Sequence, residues 1–277
     1  MSEAAAAEVE SWREAIASLP SPPRRLIVLA TVESTMDVAR AEPEGTAVFA
    51  LRQQKGRGRL GRRWLDDEPH GIALTAVLPA GDANMAAQLG LAAAVGIADA
   101  VESLLPSSSL SGARAGIKWP NDVMVGGRKV AGVLVERVEG RALVGIGLNV
   151  LQRTFPTELA DRATSLRLAA APADPPSRAE AAAALWRCVA EASSRSRAGG
   201  CAAWLRRGWL SGSRAVLGHG RDVLSGRVLA VEPLEAIEIE LDLPDATRTT
   251  RRLDASRVEV IDVDREEWTS PPSRTDL

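Results

Sequence analysis

Between Arg52 and Arg63 the chain carries six basic side chains and no acid, interrupted by Gly56, Gly58 and Gly61 and followed by Trp64. Arginine offers a planar fork of N–H donors to phosphate or carboxylate oxygens. Glycine lets the backbone bend closely around such a group and point its N–H at it. The indole of Trp64 adds a flat face for a base or ring. The chemistry this suits is the holding of an anionic, partly aromatic ligand such as a nucleotide; a solvated charged surface is the plain alternative. The glycines also satisfy G-x-G-x-x-G, but a dinucleotide site needs a helix directly after them. Here Asp66-Asp67-Glu68-Pro69 leads instead into the apolar, β-rich run Gly71–Leu78, so the loop joins strand to strand. Arg62 and Arg63 stand where a Walker A motif needs Lys and Ser/Thr, and no kinase His-Arg-Asp or Asp-Phe-Gly follows.

Of 34 basic residues only three are lysines, Lys55, Lys118 and Lys129. A chain that uses Arg nearly everywhere else keeps Lys where a compact ammonium suits better than a broad fork; chance clustering is the other reading. Lys118-Trp-Pro-Asn-Asp122 leads into a second distinctive stretch. Gly126-Gly127 between β-branched runs signals a two-residue hairpin. That turn pairs Met124 with Lys129 and sets Asp122 diagonally from Lys129. A second hairpin at Glu139-Gly140 joins Val130–Glu136 to Leu143–Val150, so that Gly132 faces Gly147. Facing glycines leave a notch for a ligand against bare sheet, or for a closely packed helix. Strict alternation puts Lys129 on the face opposite Gly147 and Asn149; a bulge near Ala131-Gly132 would bring them together.

These segments carry a resemblance. Gly56-Arg-Gly-Arg-Leu-Gly-Arg62, Lys118-Trp-Pro-Asn-Asp122, Arg128-Lys-Val-Ala-Gly-Val-Leu-Val-Glu136 and Gly145-Ile-Gly-Leu-Asn149 resemble, in order, the signatures of biotin protein ligases. Ser34-Thr35-Met36-Asp37 resembles the family's earlier Ser-Thr-Asn motif. The likeness covers roughly residues 26–170. Met36 departs from the usual Asn and Leu60 from a frequent Arg. The Arg-Arg…Gly-Gly-Gly motif of the related lipoate ligases is absent. The resemblance implies an α+β fold, with a mixed central sheet flanked by helices and a small C-terminal SH3-like β-barrel.

The implied reaction has two steps. The biotin carboxylate attacks the α-phosphate of ATP, giving biotinyl-5′-AMP and pyrophosphate; a lysine of a biotin carboxyl carrier domain then takes the acyl group and AMP leaves. The first step joins two anions, so cations must offset their repulsion. The second takes its nucleophile from the partner, which suits a chain with two His, two Cys and no persuasive triad. On this resemblance Lys129 and Arg59 are the catalytic cations. Ser34, Thr35, Gln53, Arg57, Gly58 and Gly132 bind biotin. Arg57, Arg59, Trp64, Asn121, Asp122, Lys129 and Asn149 hold ATP and the adenylate. Mg²⁺ is expected with ATP, its ligands unassigned. A lipoate-type ligase or acyltransferase on the same scaffold, and a non-catalytic nucleotide- or RNA-binding module, stay open as alternatives.

Composition bounds the rest. With 277 residues, 45% apolar and 25% charged, the chain reads as a large domain plus a small one. A net charge of −2 argues against general nucleic-acid or anionic-membrane binding. Cys188 and Cys201 give neither a disulfide framework nor zinc spacing, as in a cytoplasmic protein. No apolar stretch is expected to reach transmembrane length, and no signal peptide is expected. The expected units are an N-terminal extension at 1–23, a catalytic domain at 24–210, an SH3-like domain at 211–264 and a tail at 265–277. The residues before Leu26 are too few for a winged-helix domain, so ligase activity alone is expected. Helices are expected at Glu8–Leu19, Asn84–Leu105, Arg178–Arg195 and Gly200–Trp209. Strands are expected at Leu26–Val32, Thr46–Leu51 and Ile72–Leu78, with further β-runs from Val223 onward. The like-charged glycine loop has little to bury and is expected to order only over ligand.

Overall fold

The structure, a computed structural model, describes residues 2–65, 69–81, 83–106, 115–242 and 248–263, without the side chains of Leu60, Ala83, Asn84 and Ser256. Residues 107–114, the Leu60 side chain and the expected tail from 265 lie outside it. Helix α1 (Glu3–Ala17) begins five residues before expectation, because Ser2 caps it by accepting from the Ala5 N–H at 3.3 Å. Its Val9, Trp12 and Ile16 recur at helical spacing and are buried. There follow β1 (Arg25–Val32), α2 (Thr35–Ala39), β2 (Thr46–Gln53), β3 (Gly56–Arg57), a 3₁₀ turn at Arg59–Gly61, and β4 (Arg63–Trp64). The basic loop is thus a small two-stranded ribbon here, rather than the unstructured segment expected. β5 (Gly71–Pro79), α3 (Ala83–Leu104), β6 (Gly116–Lys118), β7 (Asp122–Val125), β8 (Arg128–Val138) and β9 (Arg141–Asn149) complete the larger sheet.

Its order is β1-β2-β5-β9-β8-β7-β6, with β1–β2 parallel and the other pairs antiparallel. The chain continues through α4 (Leu166–Ala170), α5 (Arg178–Ser193) and α6 (Arg197–Leu205). Strand periodicity separates the two faces of the sheet. Ala47, Phe49, Leu74 and Val144 join the main core with α1, α3 and α5. Val48, Val77 and Leu143, one residue out of step, pack under Met36 and Ala39 of α2. The α2 face is also the one that continues to Gly145, Gly147 and Asn149.

Both hairpin turns form where expected. Gly126 and Gly127 have φ of 55° and 73°, Glu139 and Gly140 of 48° and 80°, the left-handed values that two-residue turns of this hand require. Met124 pairs with Lys129, and Gly132 with Gly147. The bulge also exists, one or two residues before the expected place: Val130 is the unpaired residue between Lys129 and Ala131. It turns Lys129 onto the face of Gly132 and Gly147.

The C-terminal strands are β10 (Arg214–His219), β11 (Asp222–Glu232), β12 (Ala236–Asp242), β13 (Arg248–Asp254) and β14 (Val258–Val263). They form one antiparallel sheet, β13-β12-β11-β10-β14, which is not a closed barrel: the two end strands do not pair. His219 ends β10. One helix, Met85–Leu104 within α3, has the length and hydropathy to cross a bilayer, contrary to expectation. It is 72% buried inside the protein and packs on α5, α6 and β8, the setting of a core helix.

Candidate active site

One cleft of about 1530 Å³ lies across the α2 face of the larger sheet, and every candidate residue lines it. That exceeds the roughly 300–1,000 Å³ usual for a single small ligand. Its deep end is a buried hydrogen-bonded group. Ser34 stands at the N-cap of α2. The N–H and hydroxyl of Thr35 both donate to Gln53 Oε1, at 2.8 and 3.1 Å. Thr75 of β5 donates to the Thr35 hydroxyl at 2.9 Å. Thr75 was missed in the sequence; the one hydroxyl in an otherwise apolar strand was its only signal. Met36, at the departure from the family motif, is buried with its sulfur against Gly145, where an added Cβ would lie 3.0 Å away.

The basic loop crosses above. Gly56 pairs with Trp64 and Arg57 with Arg63. A side chain at Gly56 would meet the Trp64 carbonyl at 2.6 Å and Gln53 Nε2 at 2.9 Å, so the ribbon closes only over glycine. Gly58 donates to the Arg62 carbonyl at 2.7 Å. Arg57 ion-pairs with Asp37 at 2.8 Å and approaches Glu136 at 3.7 Å, while Arg40 reaches the same two acids. Arg62 reaches across to Glu259 of β14 at 2.6 Å. Arg59 faces the cleft without a carboxylate partner among the described residues.

Lys129 occupies the middle. Its ammonium is 2.7 Å from Asp122 Oδ1 and 5.6 Å from the centre of the Trp64 ring. Its stem lies over Gly132, where a Cβ would come within 2.9 Å of Cε and Nζ. The Trp64 indole rests on Gly147, so the notch between the facing glycines holds a lysine stem and an indole. The backbone of Lys129 is clamped too: its N–H donates to the Arg162 carbonyl at 2.8 Å, and the Thr164 N–H donates to its carbonyl at 2.9 Å. Asn149, buried, donates to the Thr164 carbonyl at 3.0 Å and braces that clamp. Asn121 donates to the Val133 carbonyl at 2.6 Å and fixes the β6–β7 turn to β8.

Two walls were not foreseen. Residues 152–163 and β14 both line the cleft, and no local pattern marks either. Trp119, buried, meets Trp204 edge to face at 5.5 Å.

A mixed sheet carrying a glycine–arginine ribbon and a clamped lysine in one cleft has the architecture of the biotin and lipoate ligase class. Residues 28–152 match the Biotin/lipoate A/B protein ligase family. Bifunctional ligase/repressor BirA of Bacillus spizizenii is 41% identical over 133 residues, 45% of this chain and 39% of that protein. Biotin--[acetyl-CoA-carboxylase] ligase of Mycobacterium tuberculosis is 35% identical over 162 residues, 56% of this chain and 60% of that one. The matched part thus spans less than two thirds of the length of these relatives. The solved structure of biotin protein ligase from Aquifex aeolicus in complex with biotin and ATP superposes with a TM-score of 0.71 at 28% identity, covering 86% of this chain and 98% of that one. Residues 28–152 thus resemble the biotin and lipoate ligase family in sequence, and the fold resembles that of a biotin protein ligase.

Proposed function

We propose that the chain attaches biotin to a lysine of a biotin carboxyl carrier domain, through biotinyl-5′-AMP made from ATP. The observation that supports this most is the sharing of one cleft by Lys129, Arg59 and the buried Ser34–Thr35–Gln53 group. In this reading the catalytic unit occupies 24–210 and the C-terminal unit 211–264. The hydroxyls of Ser34 and Thr35, with Gln53, take the ureido end of biotin, and Gly58 and Gly132 leave room along it. The carboxylate then lies beside Lys129, which leaves Asp122 to bridge that carboxylate and the α-phosphate. Arg59 holds the phosphate and Trp64 covers the adenine, with Asn149 beside it.

Arg57 is assigned to ligand only after it leaves Asp37 and Glu136, so loop closure exchanges those acids for the incoming anions. Asn121 acts by fixing the turn that presents Asp122. The cations stabilise charge as it builds on phosphorus, and the closed loop keeps water from the mixed anhydride.

Among the described residues no three His, Cys, Asp or Glu side chains group as a metal cage. That fits Mg²⁺ carried by the phosphates, with one protein carboxylate such as Asp122 beside it. The metal would screen phosphate charge when bound. A carrier domain incubated with protein, biotin and ATP should gain the mass of one biotinyl group. No gain, or a gain with lipoate and not biotin, would overturn the reading.

A further inference from the structure

Arg178 is a charged side chain to which the reaction above gives no part, yet it is only 5% exposed. It opens α5 directly after the N-cap, Ser177. A cation in the first turn of a helix opposes the helix dipole, so helix formation does not account for it. The contacts of its guanidinium do. Nε and Nη2 donate to the Gly71 carbonyl at 3.0 and 2.7 Å, and Nη2 also donates to the Leu51 carbonyl. Nη1 pairs with Glu8 of α1 at 2.8 Å, and the group lies 5.0 Å from the centre of the Trp12 ring. Leu51 and Gly71 stand where β2 and β5 part. Among the described residues those strands pair from Ala47–Ala76 to Ala50–Ala73 and end there. Beyond that point β2 stays paired with β1 as far as Gln53, and β5 with β9 as far as Gly71 opposite Asn149. The sheet thus forks, one arm carrying Gln53 and the other Gly71 and Asn149. A fork takes carbonyls out of the ladder, and burying them unpaired is costly. The planar guanidinium spans both arms with donors in fixed geometry. It reaches them from α5, while Gln53 and Asn149 line the cleft.

We propose that Arg178 is a positioning residue that fixes the width of this fork, and with it the distance from Gln53 to Asn149 and to the Lys129 clamp that Asn149 braces. The inference rests on the ligase reading, in which the ureido end of biotin lies at Gln53 and the adenine beside Asn149. Biotin then meets one arm and the nucleotide the other. Only biotinyl-5′-AMP, and the transition state that leads to it, need both arms at the correct separation. A change in fork width therefore raises the barrier to joining and weakens the hold on the adenylate, while each substrate binds nearly as before.

Arg178→Lys keeps the charge and loses the bridge between the two carbonyls. Rates are counted per biotin bound at saturation, so that only folded protein enters. With a misplacement of about 1 Å, single-turnover formation of biotinyl-5′-AMP should fall at least about tenfold, and affinity for the pre-formed adenylate similarly. The affinity for biotin alone, by calorimetry, and the KM for ATP should stay within about threefold of the parent. Glu8→Gln is the comparison: it removes the ion pair but leaves Nε and Nη2 on the fork, so adenylate formation should stay within about twofold even where the melt falls. Unchanged adenylate formation in Arg178→Lys, an equal loss in its biotin and adenylate affinities, or the same loss of rate in Glu8→Gln would each overturn the proposal. A parent protein that forms no adenylate would overturn the ligase reading instead.

Discussion

Gly147→Ala gives a sharp test of how the cleft is built. An added Cβ at 147 would lie 2.3, 2.6 and 2.7 Å from three indole atoms of Trp64. Ordinary contact begins near 3.4 Å, so the ring must retreat by about 1 Å, because the central strand beneath it is fixed on both sides and cannot give. Overpacking in a core costs about 1–3 kcal/mol. Trp64, however, sits on a two-residue strand that among the described residues pairs only with Gly56–Arg57, so the strain can leave through the ribbon. The stability loss should therefore be at most about 1 kcal/mol, a fall in Tm of about 2–4 °C. Function should suffer far more, since a misplacement of about 1 Å in a positioning group costs on the order of a hundredfold. The assay is single-turnover formation of biotinyl-5′-AMP alongside a thermal melt. Activity within twofold of the parent would refute the placing of Trp64, and a fall in Tm above about 10 °C would make Gly147 a folding residue instead.

Further outcomes follow from the same geometry. Lys129→Ala should abolish adenylate formation while the melt is kept, since its stem lies over a glycine in an open cleft; near-normal turnover would contradict its role. Trypsin cleavage between Arg57 and Arg63 should slow when biotin and ATP are present; equal rates would contradict closure of the ribbon. Trp12→Ala should cost about 3–5 kcal/mol in urea unfolding, because Trp12 is fully buried against Phe49 and beneath the Arg178 guanidinium. Ser177→Ala should cost about 1 kcal/mol through loss of the α5 capping box. Hydrogen bonds from the Ser177 hydroxyl and N–H hold Glu180 below the ordinary carboxylate pKa. The Glu180 half of the box therefore contributes fully above the unfolded-state pKa of Glu180 and fades as pH falls through its depressed folded value, so the difference between parent and variant should narrow in acid unfolding, leaving the part due to the Ser177 cap itself.

The central hairpins were legible because their information is local. Two glycine turns and a period-two pattern set which residues pair, and the pairing of Gly132 with Gly147 followed. The need for a bulge was legible too, as a conflict between Lys129 and the face it had to share. Its place at Val130 was not, because several residues could supply the same half-turn. Long-range partners escaped the sequence altogether. Arg62 meets Glu259 across 197 positions, and nothing near either residue signals the other. Arg57 read as a ligand contact, but Asp37 and Glu136 claim it in the structure. Its charge and loop setting fit both states equally. β10 went unread because Arg214–His219 is short, and its consecutive apolar residues Ala215, Val216 and Leu217 show no period-two alternation. The start of α1 was missed because Ala4–Ala7, though good helix formers, carry no apolar–polar period to mark a face before Val9.

The central claim is that one cleft brings the carboxylate of biotin against the α-phosphate of ATP, with Lys129 and Arg59 between them. The exchange of labelled pyrophosphate into ATP, with no carrier protein present, tests it directly. Exchange should require biotin, proceed with the parent protein and vanish in Lys129→Ala. Exchange without biotin, or none with it, would contradict the account.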